Sequence, residues 1–214
     1  MQSCESSDTL AVGQKKEQPI IEILKENDGR KDNLKITLLT MDFKNIEYLR
    51  NGNHRQQQAY FTLSENSILS QLKRYDPILV GTIPINIAIE TSDLDIICCF
   101  EDKQEFKNSI TDSFSNEKNF KIREYQNLDT SAIVSNFYVG DFEIELFGQQ
   151  IPTTNQMAYR HLIVEHKLLL QHGEIFRQLI IELKKQGCKT EPAFAIALGL
   201  KGDPYMELLK FETQ

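Results

Sequence analysis

The 214 residues carry a formal net charge of −7, with 40% hydrophobic and 26% charged side chains, enough apolar material for one α/β domain or a catalytic core with a helical appendage. The acidic balance argues against a general duplex nucleic-acid binder, which needs a basic face to neutralise phosphates; it is compatible with a nucleotide, because a metal ion can bring the positive charge to the phosphates. No apolar run approaches the roughly 20 residues that span a bilayer. The start Met1-Gln2-Ser3-Cys4-Glu5 lacks the apolar centre of a signal peptide. The four cysteines, Cys4, Cys98, Cys99 and Cys188, have neither zinc-finger nor redox spacing. The expectation is a reduced, cytoplasmic protein with no membrane association, whose cysteines are mostly small buried hydrophobes.

Residues 1–17 are polar and aperiodic, the composition of a disordered segment. Pro19 to Lys25 suits a short helix, Asn27-Asp28-Gly29 a turn, and Leu34 to Thr40 is β-prone. The compact domain is expected to begin near Met41, with 1–40 as an extension. From Met41 to Arg74 the pattern is helical: Phe43, Ile46 and Leu49 share a face, Asn53 can cap a second helix through Leu63, and Ser64 to Leu72 make a third. Tyr75-Asp76-Pro77 ends that run. Ile78-Leu79-Val80 and Leu94 to Phe100 read as buried strands, and Phe106 to Phe114 as a helix. Lys121 to Tyr125, Ala132 to Tyr138 and Phe142 to Phe147 are further strands, the last two joined by a Val139-Gly140-Asp141 hairpin turn. After Gly148, Thr154 or Asn155 can cap a long helix to Gln171, closed by His172-Gly173; Glu174 to Gln186 forms the next, stopped by Gly187. Pro192 and Pro204 sit where a first helical residue would be. The predicted fold class is α/β (α+β): a small mixed sheet flanked by helices over 41–150, with a helical part over 151–214 packed on it.

The chemistry concentrates in Val80-Gly81-Thr82 and Ser92-Asp93-Leu94-Asp95-Ile96. Residues two apart on a strand share a face, so Asp93 and Asp95 converge while Leu94 and Ile96 enter the core. Two like charges held together are costly unless a cation lies between them. Hard oxygen ligands of this kind suit Mg²⁺, which also binds substrate phosphates. A Gly-Thr turn after a buried strand lets backbone N–H groups and a hydroxyl approach a phosphate.

This constellation resembles the nucleotidyltransferase superfamily, in its minimal and antibiotic-modifying form. Gly81-Thr82 stands for the Gly-Gly or Gly-Ser element, Thr82 supplying the hydroxyl, and Asp93 and Asp95 for the acidic–hydrophobic–acidic strand. Asn86 departs from the glycine those members often carry, at a turn where Asn tolerates left-handed geometry. The resemblance calls for a third carboxylate within Asp141 to Phe147: Glu145, flanked by Ile144 and Leu146, with Glu143 as the alternative. From about Met41 onward the chain resembles a bacterial family within that superfamily that is catalogued only as a domain of unknown function. The stretches that carry it include Glu145-Leu146-Phe147-Gly148-Gln149, Gln156 to His161, Lys189 to Ala195 and Gly202-Asp203-Pro204-Tyr205.

The resemblance implies Mg²⁺-dependent transfer of a nucleoside monophosphate from an NTP to a hydroxyl of an unidentified, small-molecule acceptor. One or two Mg²⁺ ions would be held by Asp93, Asp95 and Glu145, and the nucleotide would be bound by Gly81, Thr82, Ser92, Arg160 and Lys189. The alternatives are an inactive binding or regulatory protein of the same fold, and a toxin–antitoxin-type modifier of a protein or tRNA. Arg160 has two readings, a cation facing the triphosphate or a partner of a surface carboxylate. Lys189 can reach a phosphate or simply occupy a loop; Glu165 or Glu191 can act as base on the acceptor or be structural. His161 and His166 are five apart, not the i, i+4 spacing of a helical metal site, so His161 is expected to be a satisfied helix residue. Tyr159, Phe194 and Tyr205 can stack on a base or belong to the core.

Overall fold

The computed structural model describes residues 41–126 and 131–212; the expectations for 1–40 lie outside the described residues. Chain entry is a 3-10 turn at Glu47–Asn51. Helix α1 spans His54–Glu65 and is started by a capping box: Asn53 accepts from the Gln56 N–H, and the Gln56 side chain returns to the Asn53 N–H. The third expected helix is only one turn, α2 at Ile68–Gln71, followed by a 3-10 turn at Lys73–Tyr75. Ser67 and Asp76, both at positive φ, bracket these turns: Ser67 parts them from α1 and Asp76 ends them before β1.

Strands β1 (Ile78–Val80) and β2 (Leu94–Cys99) are joined by an irregular loop. Helix α3 (Lys103–Phe114) is capped by Asp102, and β3 (Lys118–Gln126), β4 (Ser131–Val139) and β5 (Phe142–Gln149) follow. The five strands form one mixed sheet in the order β1-β2-β5-β4-β3, with β2 and β5 parallel and the other pairs antiparallel.

Helix α4 covers Met157–Lys185 and is broken at Gly173, whose φ of 77° and ψ of −166° lie outside helical space. The predicted division into two helices at this glycine is therefore present as a kink. Neither Thr154 nor Asn155 caps α4; both lie in a 3-10 turn, and Gln156 is the N-cap. Its side chain leaves the cap to donate to the Cys98 and Ile151 carbonyls at 2.9 Å each, so tertiary bonding takes it away from capping. Helix α5 (Thr190–Leu198) starts two residues before Pro192, with Lys189 as N-cap. In α6 (Pro204–Leu209) Pro204 is the first residue, after an Asp203 cap.

The pleat sorts the sheet's side chains into two cores. Leu94, Ile96, Cys98, Ile144 and Leu146 pack against Leu63 of α1 and Phe106, Ile110 and Phe114 of α3. Ile78, Val80 and Ile97 face the other way, toward Leu162, Leu169, Phe176 and Ile180 of α4, Phe194 of α5 and Leu208 of α6. The small mixed sheet flanked by helices, with a helical C-terminal part, is the expected fold class. Of the described cysteines only Cys98 is fully buried; Cys99 and Cys188 are half-buried, and all three are free. Among the described residues, no helix is long and apolar enough to cross a membrane.

Candidate active site

The face of β2 that carries Ile97 toward α4 also carries Asp95, and Asp93 is one pleat earlier. In the parallel β2–β5 pair Asp95 lies beside Glu145. Two adjacent strands thus bring a carboxylate each to the same height of the sheet, with Asp93 at its edge. All three line a cavity of about 550 Å³ between the sheet and the helical part. Gly81, Thr82 and Ser92 line it from the β1–β2 loop, and His161, Glu165, Lys184 and Glu191 from α4 and α5.

Electrostatics sets these carboxylates apart from surface acids. Burial, then the neighbouring charges of Asp93 and Glu145, push Asp95 up to about 8. Asp93 is raised as well, by burial first and by Glu143 to a lesser degree. Glu145 accepts from the Asn136 amide at 3.1 Å and lies 3.8 Å from an Arg123 guanidinium nitrogen. Glu143 is one pleat away and turned to other partners: the Tyr138 hydroxyl donates to it at 2.9 Å and the Asn136 amide at 3.3 Å. It does not line the cavity. Three converging acids, one of which favours its neutral form unless a counter-charge arrives, are a donor set that fits a hard divalent cation.

The Gly81-Thr82 turn is tightly built. Gly81 is at φ 75°, and a methyl on its Cα would fall on the Asp95 Oδ2 oxygen. Glycine is thus required twice, for the backbone angle and for the carboxylate's place beside it. The Thr82 hydroxyl donates to Ser92 Oγ at 3.2 Å, and Ser92 Oγ accepts from the Ile89 N–H at 3.0 Å. Asn86 is at φ 59°, the left-handed geometry expected of it. The loop's carbonyls are gripped from outside. Arg55 of α1 reaches the Glu90 and Ser92 carbonyls at 3.4 and 3.2 Å, and the Gln56 amide reaches Ile83 and Pro84 at 2.9 and 3.3 Å. From α4, Arg177 donates to Ile85 and Asn86, and Lys184 to Ile87 at 2.9 Å.

Arg160 is bound by Glu212 in a two-point pair at 2.8 and 2.7 Å, and Lys189 is an exposed N-cap; neither lines the cavity. Among the described residues, the basic side chain that does is Lys184, which the sequence reading passed over. It is 7% exposed, and burial lowers its pKa to about 8 against the opposing pull of Glu165, Asp93, Asp95 and Glu191. Its signal was available: a lysine at the end of a helix, in line with the apolar face of Ile180 and Phe176.

The expectation that His161 is a satisfied helix residue is corrected. It is 5% exposed, and neither ring nitrogen has a hydrogen-bond partner among the described residues. Glu165, one helical turn on, is 3% exposed and likewise has an unpartnered oxygen; burial pushes it well above the usual carboxylate range. Phe194 belongs to the core, Tyr159 is half-buried, and the Tyr205 ring meets the His161 ring edge-on at 6.0 Å.

Among solved structures, the Cid1 poly(U) polymerase bound to Mg 3′-dATP aligns at 12% identity over 84% of this chain and 54% of that one, with a TM-score of 0.47. The GLD-2/RNP-8 complex aligns at 15% identity over 72% and 61%, with a TM-score of 0.46. The polymerase core of TRAMP, an RNA surveillance complex, aligns at 12% identity over 76% and 50%, with a TM-score of 0.43. The chain thus spans 50–61% of the length of these three. No curated protein matches the chain. The family model described as "Domain of unknown function (DUF4269)" matches residues 61–211, most of the chain, and the protein belongs to that family.

Proposed function

We propose that this protein is a metal-dependent nucleotidyltransferase, moving a nucleoside monophosphate from an NTP to a hydroxyl of a small acceptor. The observation that carries this reading is the register pairing of Asp95 with Glu145, which with Asp93 puts three carboxylates on one wall of a single cavity beside the Gly81-Thr82 turn. The three carboxylates would hold a divalent cation; when bound, it would offset the triphosphate's charge and make an acceptor hydroxyl more acidic. Glu145 is preferred to Glu143 because it lines the cavity whereas Glu143 is engaged by Tyr138.

The chain's own groups supply the rest. The Gly81-Thr82 turn and the Ser92 hydroxyl orient the phosphates, their positions held by the bonds that grip the β1–β2 loop. Lys184 has one proton committed to the Ile87 carbonyl and is the cation suited to face the pyrophosphate as it leaves. The division of labour follows the two predicted parts: residues 41–150 carry the metal ligands and the phosphate-side turn, and 151–214 supply Lys184 and the acceptor wall. A cavity of about 550 Å³ is within the size range of small-molecule sites, which supports a nucleotide as ligand. Calorimetric titration with ATP and Mg²⁺ tests the site: binding is expected in the native protein and is lost in Asp93→Asn. Full-strength binding in that variant refutes it.

A further inference from the structure

The cavity has a second cluster of ligand-type groups, on its helical wall. His161 and Glu165 stand one turn apart on α4, the i, i+4 relation that puts two side chains on one helical face. Glu191, in the first turn of α5, completes the group. One ligand atom from each, an imidazole nitrogen and two carboxylate oxygens, all lie within 4.8 Å of one another. All three residues line the cavity.

What marks this cluster as more than an acidic patch is its unmet bonding. His161 and Glu165 are 5% and 3% exposed, yet both imidazole nitrogens and Glu165 Oε1 have no partner among the described residues. A buried polar group left unpaired is costly. The nearest buried cation, Lys184, donates to the Ile87 carbonyl and forms no ion pair within 4.0 Å with either glutamate. Stacking cannot meet the need either: the Tyr205 ring meets His161 edge-on and takes no nitrogen.

We propose that His161, Glu165 and Glu191 form a second cation site, selective for a divalent transition ion of the zinc class. An imidazole with two carboxylates is a borderline donor set that suits Zn²⁺, whereas the all-oxygen set of Asp93, Asp95 and Glu145 suits Mg²⁺. Zinc bonds of about 2.0–2.2 Å in a tetrahedral site put ligand atoms about 3.3–3.6 Å apart, so the three atoms must draw in by up to about 1.5 Å, a movement open to the glutamate side chains, above all the half-buried Glu191. Three protein ligands leave a fourth position open to the cavity, as in zinc sites that present a water or a substrate oxygen. If the transferase reading holds, that position faces the acceptor; the metal site itself does not depend on that reading.

The test uses the full chain, stripped of metal and titrated with Zn²⁺ against a chromophoric chelator, with excess Mg²⁺ present to cover the carboxylates on the sheet. One equivalent of Zn²⁺ is expected to bind the native protein and equally the Asp93→Asn, Asp95→Asn double variant. Changes beyond the ligands themselves cost zinc sites about 10- to 100-fold in affinity, so His161→Gln and Glu191→Gln should each lose more than about 100-fold. Glu191 is half-buried at a helix start, so its variant keeps the test decisive should His161→Gln fail to fold, with circular dichroism as the check. Co²⁺ should give the visible absorption of a low-coordinate site in the sheet double variant and not in Glu191→Gln. Absence of stoichiometric Zn²⁺ binding overturns the proposal, as does binding that survives Glu191→Gln or disappears with the sheet carboxylates. Failure of the native protein to bind ATP·Mg²⁺ while it still binds Zn²⁺ would count against the transferase reading alone.

Discussion

Gly81→Ala probes the joint between the Gly81-Thr82 turn and the Asp95 carboxylate. At φ 75° an L side chain costs about 1–2 kcal/mol. The added methyl also falls on Asp95 Oδ2 and would lie 3.2 Å from its Cγ, so the carboxylate must swing away. Asp95 has little room to do so, since it lies beside Glu145 and Asp93 and is mostly buried; the added conflict is about 1 kcal/mol or more. Gly81→Ala should therefore lose about 2–3 kcal/mol in urea unfolding. In an Asp95→Ala background the conflict is gone and only the backbone strain of about 1–2 kcal/mol remains. The double-mutant cycle should give a coupling of about 1 kcal/mol, beyond the roughly 0.3–0.5 kcal/mol within which independent sites add. Calorimetry on Gly81→Ala alone should show ATP·Mg²⁺ binding reduced far more than stability. Equal losses in both backgrounds would refute the claim that glycine is required here to make room for the carboxylate.

Lys184→Met should cost about 1–3 kcal/mol in urea unfolding, because the buried Ile87 carbonyl loses its donor. It should weaken ATP·Mg²⁺ binding at least about tenfold, the scale of one lost charge-assisted bond; unchanged affinity would remove Lys184 from the phosphate side. Arg160→Ala breaks an ion pair that is 36% and 29% exposed, so thermal unfolding should register under about 1 kcal/mol, with nucleotide affinity unaltered; a large affinity loss would restore Arg160 as a triphosphate contact. His166 is held near 4 by burial, with Arg177 adding to the effect, below its usual unfolded value. Its contribution is present above about pH 6.5 and lost as pH falls toward 4, up to about 3 kcal/mol. Stability of His166→Leu against pH should be flatter over that window by this amount, and parallel curves would contradict the shift.

The elements with strong periodicity were legible: the sheet strands, α3, the hairpin into β5, and the break at Gly173. Short-range signals misled where tertiary bonds won. Thr154 and Asn155 do not cap α4 because they form a 3-10 turn ahead of it. Gln156 takes the N-cap position while its amide goes to Cys98 and Ile151, and α5 begins before its proline, with Lys189 as an extended N-cap. The sheet carboxylates could be read because a period of two puts Asp93 and Asp95 on one face, and the β5 pattern offered Glu145. The helical wall could not. Glu191 reaches His161 and Glu165 only through the packing of α5 on α4, and comparing His161 with His166 overlooked the i, i+4 partner that mattered. Lys184 was hidden for the same reason: its counterpart, the Ile87 carbonyl, is 97 residues away.

The grip on the β1–β2 loop has a consequence for how the chain acquires its shape. The loop's carbonyls wait for Arg177 and Lys184, which arrive 91 to 97 residues later in the chain. Such distant contacts close late, since the chain entropy of a long loop is spent before they repay it. The strands can pair, and Arg55 and Gln56 can hold both ends of the loop, while its middle, at Ile85 to Ile87, is fixed only when the second half of α4 docks. A nascent chain ending near residue 150 would own every sheet carboxylate and still lack a working cradle. The order of folding would thus withhold the proposed chemistry until the helical wall is in place.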